Sequence, residues 1–177
     1  MTLPPTRRQV RVAVGVLWLV DAGLQAQPQL FTGAWWRDDL AQSVMGQPPS
    51  VSHSIWWAVG VIAPHAGAWN VLFVAVQAAL GLALILGRFD RAAIVASIPW
   101  ALAVWWVGEG LGTLPTGFAL LAAGAPGPVL LYPLLGLLAW PRPGDEGRFV
   151  NQAWGVTAWV LLWAGQTLLL AQGVFPV

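Results

Sequence analysis

Residues 70–105 read NVLFVAVQAALGLALILGRFDRAAIVASIPWALAVW. Two apolar runs flank the short polar sequence GRFDRA at residues 87–92. Each run, followed to its ends, is close to the roughly 20 residues that a helix needs to cross the hydrocarbon core of a bilayer. The stretch therefore predicts a hairpin of two transmembrane helices, over residues 66–86 and 92–111.

The rest of the chain has the composition of a membrane protein. Charged residues make up 8% of the 177 residues and hydrophobic residues 58%, against about 25% and about 45–50% in soluble domains. Further apolar runs predict spans at residues 12–30, 129–140 and 150–171. The predicted fold is a single all-α integral membrane domain, residues 1–177, with five spans. The fourth is interrupted by Pro126, Gly127 and Pro128, so residues 118–124 are interpreted as a half-helix or re-entrant piece.

The charged residues exclude some functions and indicate an orientation. The chain lacks cysteine, so it has neither disulfides nor thiolate metal sites. No basic patch with interleaved aromatics exists, so nucleic acid is not an expected partner; the lipid bilayer is. By the positive-inside rule we expect a plasma-membrane protein with a cytoplasmic N-terminus and an external C-terminus. Seven arginines fall on the inner side of this scheme: Arg7, Arg8, Arg11, Arg88, Arg91, Arg142 and Arg148.

The segment 32–64 is then external, together with Arg37, the one remaining arginine. It contains the pairs Trp35–Trp36 and Trp56–Trp57, and tryptophan suits the membrane interface because its ring is apolar and its N–H is polar. We expect this long external loop to form one or two short interfacial helices over the outer end of the bundle.

Polar side chains recur along the first two predicted spans. Asp21 lies ten residues beyond Arg11, about 15 Å into the bilayer, and Gln77 reaches a similar depth from the other direction. The sequence therefore predicts a hydrogen bond between Asp21 and Gln77. Gln25 follows Asp21 by one turn and Asn70 precedes Gln77 by two turns, so each helix has a polar face. These residues either hold the helices together or bind a ligand.

A glutamate, Glu109, lies among glycines in the sequence VWWVGEGLGTLPTG, residues 104–117. By helical rise it is near the outer surface of the membrane. We expect it to pair with Arg37 and, with Trp105, to form an external pocket covered by segment 32–64. Glycine at 108 and 112 would leave room for the loop or a ligand. The alternative is a partly solvated helix end without a binding role.

Two histidines, His53 and His65, fall in the external segment. Imidazole pairs bind haem or copper, so a haem or copper site is one hypothesis. A spacing of twelve residues is not diagnostic, and a loop histidine that only makes hydrogen bonds is the alternative.

Residues 70–105 resemble the second and third helices of the DoxX-like family, in which an amide or acid precedes an LGLxLxLG run and a short arginine-containing turn. RVAVGVLWLVDAGLQ, residues 11–25, is similar to the family's first helix. The resemblance implies a four-helix membrane domain related to the small subunit of thiosulfate:quinone oxidoreductase. It also implies that Asn70, Gln77, Gly81, Gly87 and Arg91 occupy the family's second-helix positions. The fifth span would be an addition to that domain.

Two functions from different classes follow. The first is a redox-associated membrane protein that binds a quinone in an outer polar pocket or contacts a membrane or external redox partner. The second is a non-enzymatic binder or carrier of a proton, a cation or a small solute. Neither assigns catalytic residues. The predicted ligand-binding residues are the same in both: Asp21, Gln25, Arg37, Asn70, Gln77, Trp105 and Glu109.

Overall fold

The computed structural model describes residues 5–117, 119 and 125–141, and this part of the chain is all-helical. Its α-helices are α1 Arg7–Gln25, α2 Gly33–Asp38, α3 Leu40–Ser43, α4 Pro49–Ile62, α5 Ala66–Leu86, α6 Asp90–Val107 and α7 Leu131–Leu138. Short 3-10 segments lie at Pro28–Phe31, Ala63–His65, Gly110–Thr116 and Pro128–Leu130. The predicted all-α class is confirmed for these residues.

The ends of the helices follow from local sequence. α1 begins after Thr6, whose hydroxyl accepts from the Gln9 amide while the Gln9 side chain accepts from the Thr6 amide, a capping box. α5 ends at Gly87, which has a left-handed φ of 71°, as helix C-termini often do. The polar turn between α5 and α6 is therefore short, as GRFDRA predicts.

Four helices contact one another in a ring: α1 packs on α5, α5 on α6, α6 on α7, and α7 on α1. Their shared core contains Val14, Trp18, Leu84 and Ile94, each at most 2% exposed. α1 and α5 cross most closely at two glycines. A Cβ at Gly15 would lie 2.8 Å from the Gly81 carbonyl oxygen, and one at Gly81 would lie 2.7 Å from the Gly15 carbonyl oxygen. Any side chain at this crossing would separate the two helices.

The segment 32–64 forms a second cluster instead of a loop with small surface helices. α2 and α3 are short, as predicted, but α4 continues through Ala63–His65 into α5. Buried side chains of α2 and α4, including Trp36, Ile55 and Val59, pack with Phe73 of α5 and Trp106 of α6. α4, with 14 residues, is longer than the one or two short helices expected in segment 32–64, and its apolar face packs against the bundle.

The continuous helix Pro49–Leu86 has 38 residues and an 18-residue stretch with a mean hydropathy of 2.1. Within the described residues it is the one helix long and apolar enough to cross a membrane. There are two if α6 and Gly110–Thr116, which meet at a bend of 56°, count as one span. The predicted spans 12–30 and 129–140 overlap α1 and α7, neither of which is among the described helices long and apolar enough to cross a membrane. The fifth span, 150–171, and the proposed half-helix, 118–124, lie outside the described residues.

Candidate ligand-binding site

The polar faces of α1 and α5 meet, as the sequence predicts. Asn70, which is fully buried, donates from Nδ2 to the carbonyl oxygen of Gln25 at 2.9 Å. The Gln25 side chain donates back to Asn70 Oδ1. Two hydrogen bonds satisfy a buried amide and join the helices, so this amide pair, Gln25 and Asn70, is structural.

A cavity of about 270 Å³ lies between the amide pair and the Gly15–Gly81 crossing, where α1 and α5 also face α6 and α7. We call it the acidic cavity because two carboxylates line it. Its lining residues are Trp18, Asp21, Leu24, Gln25, Leu30, Gln77, Val104, Glu109, Pro128, Val129 and Tyr132. Four of the predicted ligand-binding residues therefore come together here: Asp21, Gln25, Gln77 and Glu109.

The carboxylate of Asp21 lies near the hydroxyl of Tyr132 on α7, and the two groups interact electrostatically. The predicted hydrogen bond from Asp21 to Gln77 is wrong, because α7 packs on α1 and brings a phenol to the carboxylate. Trp18 holds the Tyr132 ring from the side, in an edge-to-face contact with centroids 4.9 Å apart. This geometry is favourable for aromatic pairs.

Glu109 follows the end of α6, and its carboxylate points at the segment 125–129. Its Oε1 accepts from the Val129 amide at 3.2 Å. The amide of Val129 is free to donate because Pro128–Leu130 is the first turn of a helical segment and the amides of a first turn lack helical partners. The charges of Glu109 and Asp21 also interact across the cavity.

The predicted pair between Glu109 and Arg37 does not form. On α2, Trp36 is buried and its indole donates to the Leu30 carbonyl oxygen at 2.9 Å. The next residue projects about 100° away around a helix, so Arg37 faces outward and is exposed. Arg37 is therefore removed from the predicted ligand-binding set, since it lies outside the lining of the cavities described here.

The glycines around Glu109 have a local role that the sequence indicated only in part. Residues 110–113 turn with left-handed φ angles of 53°, 56°, 61° and 60°. Such a conformation costs non-glycine residues about 1–3 kcal/mol each, and here Leu111 and Thr113 adopt it. A side chain at Gly112 would overlap the carbonyl of Pro126. The segment that comes close to Gly112 is 125–129, and not the predicted segment 32–64.

Trp105 acts on the cavity through this same segment. Its indole Nε1 donates to the carbonyl oxygen of Pro126, and its ring lies against Gly127. Trp105 is not in the lining; it positions residues 126–129, which form one wall. It is thus a positioning residue and not a direct ligand contact.

A second cavity of about 260 Å³ adjoins the first. We call it the aromatic cavity, since Trp35, Trp36, Phe73 and Trp100 line it. The rings of Trp36, Phe73 and Trp100 form a chain with centroids 5.7 and 5.5 Å apart. The remaining lining residues are Gln25, Asp39, Leu40, Ile62, Gln77, Ala103, Val104, Val107 and Gly108. Gln25, Gln77 and Val104 belong to both linings and form the partition between the two cavities.

Buried polar atoms without partners concentrate at these cavities. Within the described part of the chain such atoms are Trp18 Nε1, Gln47 Oε1, Gln77 Oε1, Trp100 Nε1 and Glu109 Oε2. All except Gln47 belong to lining residues. A buried polar group without a partner costs about 1–3 kcal/mol, so native proteins keep few of them. Their convergence on one region marks it as a candidate site for a ligand with both donors and acceptors.

The two histidines do not form a metal site together. His53 and His65 lie on the continuous helix Pro49–Leu86, twelve residues apart and so separated by about 18 Å. Both are exposed. No group of three or more metal-ligating side chains occurs in residues 5–117, 119 and 125–141. The placement of this pair gives the haem or copper hypothesis no support, and it stays a prediction.

The predicted ligand-binding set lacks the six aromatic residues that line the cavities: Trp18, Trp35, Trp36, Phe73, Trp100 and Tyr132. Trp18 precedes Asp21 by three residues and Gln25 by seven, so helical periodicity alone places it on the polar face. Tyr132, the single tyrosine of the chain, has no such signal because its partner Asp21 is on a helix distant in sequence.

No protein-family model, curated protein or solved structure matches this chain. The function must therefore be inferred from the two cavities and the surface around them.

Proposed function

We propose that this chain is an integral membrane protein that binds a small organic ligand in its acidic cavity, as a binder or carrier. The observation that carries the proposal is the set of buried polar atoms at the cavity that have no partner among the described residues, on Trp18, Gln77 and Glu109. A ligand that donates to the two oxygens and accepts from the indole would offset the cost of burying them.

The membrane assignment is supported by which side chains face outward. Large apolar side chains are exposed on all four helices of the ring, among them Val20 on α1, Leu82 on α5, Leu102 on α6 and Leu134 on α7. The buried polar residues Asn70, Gln77 and Ser97 are on the inside. Soluble monomers rarely expose apolar surface on every face. A lipid environment accounts for this distribution, and with it α1 crosses the membrane with Asp21 turned toward the cavity.

The proposed orientation is supported by the positions of the arginines. Arg11 of α1 forms an ion pair with Asp90 at 2.7 Å and donates to the Leu84 carbonyl oxygen. These contacts bring the N-terminal arginines beside Arg88 and Arg91, at one end of the ring. Arg37 is carried by α2, beyond the opposite end of α1. This asymmetry favours a cytoplasmic N-terminus, and a ring of four helices is also what the DoxX-like resemblance implies.

Cysteine labelling in intact cells tests the membrane proposal, since the chain has no cysteine of its own. Arg37→Cys and Arg88→Cys both alter exposed side chains. An impermeant thiol reagent added outside should label position 37 and leave position 88 unlabelled until the cells are lysed. Labelling of 88 alone would reverse the orientation, and equal labelling of both in intact cells would reject a membrane crossing between them.

Binding to the cavity is tested with phenylbutanol, a neutral probe with one hydroxyl and one aromatic ring. We expect it to raise the melting temperature of the purified protein in mild detergent, and expect Gln77→Leu to abolish that rise. Asp38→Asn, which alters an exposed carboxylate outside both linings, is the matched control and should retain it. If phenylbutanol and phenylbutylamine both leave the wild-type melting temperature unchanged, the binding proposal is rejected.

A second candidate is a redox-associated membrane subunit that binds a quinone. It is favoured by the unpaired indole N–H groups of Trp18 and Trp100, because a quinone offers two carbonyl acceptors and an apolar ring. We expect a short-tailed ubiquinone analogue to bind saturably and Trp18→Phe to weaken it. An ultraviolet spectrum of the purified protein would report quinone that remains bound. If no quinone is seen and the analogue does not bind, this candidate is eliminated.

A further inference from the structure

The two cavities have complementary chemistry and share a partition. Gln25, Gln77 and Val104 belong to both linings, so these three side chains stand at the boundary of an acidic and an aromatic compartment. At about 270 and 260 Å³, each cavity by itself is smaller than the roughly 300–1,000 Å³ of most ligand sites. Together they fall within that range. A ligand that fills both must have two chemically different parts joined past the partition.

The acidic cavity selects for positive charge. It contains Asp21 and Glu109, and the lining residues that the structure describes include no arginine or histidine. The lining of the aromatic cavity includes one more carboxylate, Asp39. Two carboxylates that face the same space repel each other, and a cation between them removes that repulsion.

The unpaired atoms specify what that cation offers. Glu109 Oε2 and Gln77 Oε1 are acceptors without donors among the described residues. Gln77 is only 5% exposed, so water outside the protein reaches it poorly. The carboxylate of Asp21 lies near the Tyr132 hydroxyl and has further acceptor positions of its own. A protonated amine has up to three N–H donors in one small group, and fits this set of acceptors.

The aromatic cavity accepts the other part of the ligand. Trp35 and Trp36 meet edge to face at 5.3 Å, and Trp36, Phe73 and Trp100 continue the aromatic wall. Such walls bind aromatic rings and the apolar carbons next to a cation. From these observations, and resting on the proposed binding function, we propose that the two cavities form one site for an amphiphilic organic cation. Its ammonium group lies between Asp21 and Glu109, and its aromatic or apolar part lies against Phe73 and Trp100.

A matched pair of probes tests the proposal on the wild-type protein. Phenylbutylamine and phenylbutanol have nearly the same shape, but at neutral pH only the amine is charged. We expect the amine to bind about tenfold more tightly or better, because a charged hydrogen bond is stronger than a neutral one. Equal affinities for the two probes overturn the cation proposal while the binding function stands. Failure of both probes to bind rejects the function as well.

Variants then locate the two parts of the ligand. Asp21→Asn and Glu109→Gln keep the size of each side chain and should each reduce the preference for amine over alcohol, with the double variant removing it. Trp100→Ala should weaken both probes alike and leave their ratio unchanged. Asp38→Asn alters an exposed carboxylate outside both linings. It should change neither the affinity for either probe nor the ratio of the two affinities. An undiminished amine preference in the double variant overturns the assignment of the ammonium position.

Discussion

The contact between α1 and α5 differs between its ends and its middle. At one end Gly15 and Gly81 bring the helix backbones together, and one turn further Arg11 is paired with Asp90. At the other end Gln25 and Asn70 exchange hydrogen bonds. Between them the helices leave a cavity with Asp21 and Gln77 in its wall.

The difference separates polar residues that stabilise the fold from those available to a ligand. At the ends, each buried polar group has a partner within the chain, so the hydrogen bonds that it makes stabilise the fold. In the middle, Gln77 Oε1 and Trp18 Nε1 lack one among the described residues, so their burial opposes folding. Functional sites commonly sacrifice stability in this way. Substitutions at the two kinds of position should therefore change stability in opposite directions.

The largest effect is expected at the glycine crossing. Gly81→Leu would place side-chain atoms against the Gly15 carbonyl and Leu19, and such overpacking costs about 3 kcal/mol. The free energy of unfolding in detergent measures the loss. Gly23→Leu on α1 is the control, since a Cβ there meets nothing within 4 Å. If both substitutions lower the free energy of unfolding by the same amount, the close packing of Gly15 and Gly81 is not what stabilises this end of the contact.

The amide pair comes next. Asn70→Leu removes two hydrogen bonds and leaves Gln25 without its partner, a loss of about 2 kcal/mol. Adding Gln25→Leu to this variant should recover part of the loss, because it removes the stranded side-chain amide. Thermal denaturation of the wild type, both single variants and the double variant measures the coupling. Strictly additive effects would mean that the two amides do not act as a pair.

A smaller effect is expected for the ion pair beside the crossing. The Arg11 and Asp90 side chains keep 15% and 17% of their surface exposed, so Asp90 retains some contact with solvent when its partner is removed, and Arg11→Met should cost about 1 kcal/mol. Arg8→Met, at an exposed position on the same helix, is the control and should change stability by less than about 0.5 kcal/mol. Comparable losses from both variants would argue that the pair is not stabilising.

The smallest change in the free energy of unfolding, and one of opposite sign, is expected for a substitution in the middle of the contact between α1 and α5. Gln77→Leu replaces a buried amide whose oxygen is unpaired by an apolar side chain of similar size. The free energy of unfolding should stay the same or rise by up to about 1 kcal/mol, while probe binding is lost. A decrease comparable to that of Asn70→Leu would show that Gln77 is structural, and the distinction between ends and middle would fail.

Parts of the candidate site could be predicted from the sequence because they depend on periodicity. Asp21 and Gln25, like Asn70 and Gln77, share a helix face by their spacing, and polar faces on neighbouring helices turn toward each other when the remaining surface is apolar. The prediction that the glycines near Glu109 allow close approach relied on the absence of a Cβ. The individual partners could not be predicted this way, since spacing along one helix carries no information about which other helix lies opposite.

The sequence by itself determined the all-helical class, the short turn at GRFDRA and the polar faces of α1 and α5. Each of these depends on residues within a few turns of one another. Only the tertiary structure decided that Asp21 meets Tyr132, that Glu109 meets Val129, and that Arg37 faces away from both. The reason is physical: a carboxylate pairs with whichever donor the packing of α7 and segment 125–129 brings within about 3 Å. That packing is the joint result of contacts distributed over the whole ring.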